Sequence, residues 1–128
     1  MEFSTEFIVI GEDQDPKVEQ DLTPLEPASG FPIDQDLYIE SGGKWGKGDR
    51  AGEAHGTAAV ARKNLAQVSI TFAFDEDDSI VVSGLLPVQG KKLGAGQLAV
   101  TGGTGKFAKA AGKVGMETNN PKRWSFVI

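Results

Sequence analysis

Between Gln67 and Phe74 the chain reads QVSITFAF, in which Val68, Ile70, Phe72 and Phe74 alternate with Gln67, Ser69, Thr71 and Ala73. A period of two sends successive side chains to opposite faces of an extended strand, so one face is apolar and the other wetter. Leu37 with Ile39, Val114 with Met116, and Trp124 with Phe126 and Ile128 repeat the pattern. Seventeen Gly and few 3.6-residue patterns argue against a helical protein. With almost no helix to cover a sheet, the apolar faces must meet one another, in a sandwich or a closed barrel. Gly52, Gly56, Gly84, Gly112 and Gly115, inside or beside the alternating runs, suit the bends and bulges of a small barrel, the architecture expected here.

The runs predict strands over 2–10, 35–40, a short piece near 44–46, and then 52–62, 66–74, 79–86, 97–101, 111–118 and 123–128. A chain of 128 residues makes one domain, 1–128, with a single core. Between the first two strands GEDQDPKVEQDLTPLEPASGFP forms a long acidic loop at about 12–33, too proline-rich for a hairpin turn. A flap over a barrel mouth and a solvated connection are both open readings of it. The loop sets the charge balance. It holds Glu12, Asp13, Asp15, Glu19, Asp21 and Glu26 against Lys17, an excess of 6 − 1 = 5 acids that equals the net charge of −5.

An acidic chain without a basic stripe is a poor match for a phosphate backbone, so nucleic acid is not an expected partner. No Cys occurs, which excludes disulfides and thiolate metal sites. The start MEFSTEFIVIGEDQ carries acids where a signal peptide needs bases, and no run reaches the length of a membrane helix; a cytoplasmic protein with no membrane partner is expected. No metal is expected either. DQDPK fails as a calcium loop because Val18 stands at the sixth position counted from Asp13, where Gly is needed, and DEDD at 75–78 reads as a solvated hairpin turn.

VTGGTGKFAKAAGKVG, from Val100 to Gly115, resembles a phosphate cradle at first sight. Counting back from Gly105 and Lys106 puts Val100 where a P-loop needs its first Gly and Phe107 where it needs Ser or Thr. The looser dinucleotide pattern is met by Gly103, Gly105 and Ala108. No helix, second strand and acid follow it, because Gly112, Gly115 and Pro121 interrupt the segment. What remains is strand, glycine turn and strand, with Phe107 available to plug a barrel end.

LAVTGGTGKFAKAAGKVGMET resembles the signature of the dirigent and allene oxide cyclase superfamily. GEAHGTAAVA resembles the G-x-x-x-G strand of that family, VSITFAFDEDDSIVVSG its acidic hairpin, and IDQDLYIESGGKWGKG its second strand and turn, so that the likeness runs from about Phe31 to Ile128. The resemblance implies an eight-stranded antiparallel β-barrel, usually trimeric, whose apolar cavity makes reactive small molecules cyclise or couple with defined stereochemistry. Where plant allene oxide cyclases carry an acid on the first strand, this chain has Ile10, with Glu12 the nearest carboxylate; Gln35 falls near their Asn, Ala58 at their Cys and Ile70 at their Tyr. Bacterial barrels that resemble the superfamily act as pericyclic, Diels-Alder-type or spiro-forming cyclases in polyketide pathways, and a short cytosolic chain fits these best.

The function expected is therefore a cofactor-free cyclase or isomerase of secondary metabolite biosynthesis, taking a small apolar substrate and acting as a homotrimer. Such chemistry needs a shaped, dry pocket that holds a flexible molecule near its reactive conformation. Gln35 and Glu12 are the candidate catalytic residues, and Phe72, Phe74, Met116, Trp124, Ala58 and Ile70 the candidate substrate-binding wall. Ala54, Gly56 and Ala58 leave room beside them. His55, the single histidine, alternates with the small-residue face and is expected outside. The alternatives are a lipocalin-like or dirigent-type barrel that binds a hydrophobic ligand without reaction, and a barrel filled by its own side chains.

Overall fold

A computed structural model describes residues 6–13, 30–62, 64–89, 92–118 and 122–128. Nine strands follow in order: β1 (Glu6–Asp13), β2 (Gly30–Glu40), β3 (Lys47–Arg62), β4 (Leu65–Ala73), β5 (Ser79–Gln89), β6 (Lys92–Leu93), β7 (Gly96–Thr104), β8 (Gly112–Thr118) and β9 (Lys122–Val127). Each pairs antiparallel with its neighbours in the ring β1-β2-β3-β4-β5-β7-β8-β9, and β9 returns to β1. The result is a closed eight-stranded antiparallel barrel, with two-residue β6 appended to the end of β5. Closure removes every long sheet edge and lets eight apolar faces share one interior. No helix among the described residues is long and apolar enough to cross a membrane.

The expected strands differ from the observed ones mainly at β2 and β3. The short strand near 44–46 is a turn, closed by Ser41 N–H donating to the Gly46 carbonyl at 3.0 Å. β2 begins at Gly30 and β3 at Lys47, both well outside the alternating runs, and β6 was not foreseen. Accordingly, the acidic loop is shorter than about 12–33 at both ends, and its middle, 14–29, lies outside the described residues, as does 1–5. A register shift between Leu37 and Tyr38 falls beside Gly52, whose φ of 154° and close approach to the Ala73 carbonyl exclude a side chain. Beyond this kink the hairpin reaches past β1. Lys47 pairs with Glu12 of β1 at 2.5 Å, Arg123 of β9 binds Glu40 through two nitrogens, and Lys44 meets Glu117 of β8 at 3.3 Å. Ile10 faces away from the interior, between Tyr38 and Arg123 in register, yet is fully buried.

One end of the barrel is closed by aromatic rings. The 3-10 turn Gly105–Phe107 carries Phe107 inward, and the adjacent Asp75–Asp78 turn holds it there: Asp78 Oδ1 accepts from Lys106 N–H at 2.9 Å, and the Asp77 carbonyl accepts from Thr104 Oγ1 at 2.8 Å. Phe7 stacks on Phe126 at 4.6 Å, while Phe74 lies 5.7 Å from both Phe7 and Phe107. Offset and edge-on contacts of this kind are the favoured aromatic geometries.

Candidate functional site

The lumen-facing rows follow from the alternation. On β4 they are Ala66, Val68, Ile70 and Phe72; on β9 they are Lys122, Trp124 and Phe126. β4 and β9 are four places apart in a ring of eight, and so stand opposite one another. Phe72 nonetheless meets Trp124 edge-on at 5.1 Å and Phe126 edge-on at 4.9 Å. This layer spans the lumen. On its Phe107 side lie the rings of Phe7, Phe74 and Phe107; the part toward the end where β1 leaves and β2 enters is lined by different chemistry.

There Gln35 of β2 and Trp124 of β9 meet inside the barrel: Trp124 Nε1–H donates to Gln35 Oε1 at 3.0 Å. Both residues are 1% exposed. Between them in the ring runs β1, and the position beneath the bond is Gly11; a Cβ there would stand 2.2 Å from Gln35 Oε1 and 2.7 Å from Trp124 Nε1. The bond exists because β1 presents no side chain at that point. Lys122 precedes Trp124 on the same lumen-facing row, is 8% exposed, and stands opposite Gly11 in register. Gln35 and Lys122 are the two buried polar or charged side chains among the described residues.

Of the expected substrate-binding residues, Phe72, Trp124, Met116, Ala58 and Ile70 are all buried in the barrel core. Met116 sits beside Trp124, Ala58 beside Val68, and Ile70 beside Gly56 in register. Phe74 is half-buried and belongs to the aromatic plug, away from Gln35. Glu12, expected near Gln35, stands on the outer surface with its carboxylate on Lys47. The physical reason is parity: Gly11 faces the lumen, so its neighbour Glu12 faces out. His55 is also outside, between Glu53 at 2.9 Å and Asp34 at 3.4 Å. Hydrogen bonds from His55 and then Arg50 hold the Glu53 carboxyl below the ordinary carboxylate range. Among the described residues no group of three or more His, Asp or Glu is placed to hold a metal ion.

Sequence reasoning missed Gly11 and Lys122. Lys122 was legible, since it continues the period-two row of Trp124 and Phe126 by one step. Gly11 gave no such signal, because what it clears becomes visible only when β2 and β9 flank it. Chemically, the cluster offers a carboxamide with four hydrogen-bonding sites, an indole N–H and an ammonium, set among apolar walls. Such a set can orient a carbonyl or an acid and polarise it.

No family model matches the chain, and no curated protein matches it. Among solved structures, one described as pyocyanin demethylase superposes with a TM-score of 0.72 at 15% identity, covering 94% of this chain and 97% of that one. At that identity the likeness is one of fold: this chain is a β-barrel built like a barrel of that description, along nearly its whole length.

Proposed function

We propose that the barrel binds a small, largely apolar molecule beside the Gln35–Trp124 layer and directs its stereoselective cyclisation without a cofactor. The observation that carries this reading is the buried Gln35 amide, held by Trp124 over the clearance at Gly11. An amide inside an apolar barrel costs roughly 1 to 3 kcal/mol unless satisfied, and here its oxygen accepts the Trp124 indole N–H, which fixes the amide plane facing the lumen. A carbonyl of the substrate takes an N–H of the amide, which withdraws electron density from the reacting π-system. The walls of Phe72, Met116 and Trp124 restrict the remaining conformations, and orientation supplies most of the acceleration. That a solved barrel of the same fold is described as a demethylase of a small molecule supports a small-molecule role here. The wider resemblance to bacterial cyclase barrels supports the reaction class, a trimeric state and a cytoplasmic setting.

A second reading, a barrel filled by its own side chains, is favoured by the Phe72–Trp124–Phe126 layer, which crosses the lumen. Incubation with 1,7,9-decatrien-3-one, whose internal cycloaddition gives a bicyclic ketone, separates the two. A cyclase yields one enantiomer in excess, faster than buffer, and Gln35→Leu loses about tenfold in rate, the equivalent of one hydrogen bond of about 1.4 kcal/mol. A racemic product at the buffer rate overturns the cyclase reading for this substrate class and leaves the barrel without catalysis.

A further inference from the structure

We propose that Lys122 makes the lumen a receptor for acids: the ligand is an amphiphile whose apolar body lies against Phe72, Met116 and Trp124 and whose carboxylate ends on the Lys122 ammonium. The inference rests on the reading above that the lumen takes a small molecule, and names its chemical class.

Lys122 lies on the inward row of β9, one step beyond Trp124, and only 8% of it is exposed. Two residues along a strand amount to about 7 Å, so the ammonium stem starts within reach of the Gln35–Trp124 bond. Gly11 borders both groups: it stands opposite Lys122 in register, and its missing Cβ is what clears Gln35 Oε1 and Trp124 Nε1. Three polar groups from β2 and β9 therefore surround one bare stretch of β1. Lysine is among the residues least often buried, and taking an ammonium out of water costs several kcal/mol before partners compensate. An ammonium carries three donors, so it can hold a protein partner and still receive a carboxylate oxygen. In a chain of net charge −5, an inward cation is also what lets an anion enter a predominantly acidic molecule.

The probes are 6-phenylhexanoate and 6-phenylhexan-1-ol, which share a skeleton and differ in charge at pH 7.5. Titration is followed by calorimetry and by emission in a Trp45→Phe background, where the remaining tryptophan is Trp124. The acid binds at least tenfold more tightly than the alcohol; Lys122→Met brings the two to equal affinity without weakening the alcohol, and Lys122→Arg keeps the preference. Equal binding of acid and alcohol by the parent protein, or a preference that survives Lys122→Met, overturns the proposal and leaves the lumen reading intact. Silence from both probes, in heat and in Trp124 emission, overturns the lumen reading and the proposal with it. Should Lys122→Met fail to fold, Lys122→Gln and the acid-to-alcohol ratio of the parent decide the matter.

Discussion

Trp124 and Gln35 join β9 to β2 across the inner face of β1, while Arg123 and Glu40 join the same two strands across its outer face. The seam between the first and last strands, where the barrel closes, is clamped from both sides. Replacing Gln35 with Leu leaves the indole N–H buried without an acceptor. The expected loss is about 1 to 3 kcal/mol in urea-induced unfolding, with Trp124 emission shifted in the folded protein. An unchanged midpoint would show that the bond adds nothing to closure.

Gly11→Ala tests the inner clamp from the other side. Its methyl would stand 2.2 Å from Gln35 Oε1, so either the amide or the indole has to move. Overpacking of this kind costs about 1 to 3 kcal/mol, and the double variant Gly11→Ala with Gln35→Ala should recover part of it. A double variant no more stable than Gly11→Ala alone would place the strain elsewhere.

The outer clamp is pH-sensitive. The Arg123 guanidinium, with the Trp45 N–H, holds the Glu40 carboxyl below the ordinary carboxylate range despite partial burial. A carboxyl whose pKa is lower folded than unfolded contributes stability that is complete above the unfolded value and lost as pH falls through the folded one. Thermal unfolding should thus be flat in this respect above about pH 5 and decline below about pH 4.5. Glu40→Gln should lower stability at pH 7 by about 2 kcal/mol, the worth of a hydrogen bond to a charged group, and make the acid decline shallower. Parallel acid limbs in both proteins would assign the decline to other carboxylates.

The glycine turn gives a graded prediction. Gly102 has open space around its Cα, whereas a Cβ on Gly103 would stand 2.2 Å from the Phe107 carbonyl and one on Gly105, at φ 60°, would stand 2.1 Å from Asp78 Oδ1. Gly102→Ala should be neutral within about 0.5 kcal/mol, and Gly103→Ala and Gly105→Ala should each cost about 1 kcal/mol or more. Lys106→Ala should also be near neutral, since the bond to Asp78 Oδ1 comes from the backbone N–H and the side chain is exposed. ATP or NAD should not raise the melting temperature. A nucleotide-dependent gain abolished by Lys106→Ala would turn the segment back into a phosphate cradle.

The sequence alone determined the all-β class and the inward rows, because a period of two is local: QVSITFAF assigns Phe72 to the core and Thr71 to the outside in a sandwich or a barrel alike, and it is the pairing of β9 with β1 that makes the barrel. It also spoke against a phosphate cradle, since the failing positions Val100 and Phe107 lie seven residues apart in one short segment, of which Gly105–Phe107 is the turn while Gly102 and Gly103 still belong to β7. Glu12 and Gln35 mark where local reasoning ended. Each was singled out by residue type, but whether they share a face depends on the register of β1 against β2, which is set by the ring closing around them. The long β3 was hidden for a similar reason: Lys47 to Ala51 are held by pairs of Lys47 with Glu12 on β1 and of Arg50 with Asp36 on β2 and Glu53, not by an alternation of their own. The site itself, Gln35 and Lys122 around bare Gly11, was decided by tertiary structure, because it joins side chains 89 and 111 positions distant along the chain from β9 and β1, and only closure of β9 onto β1 brings them together.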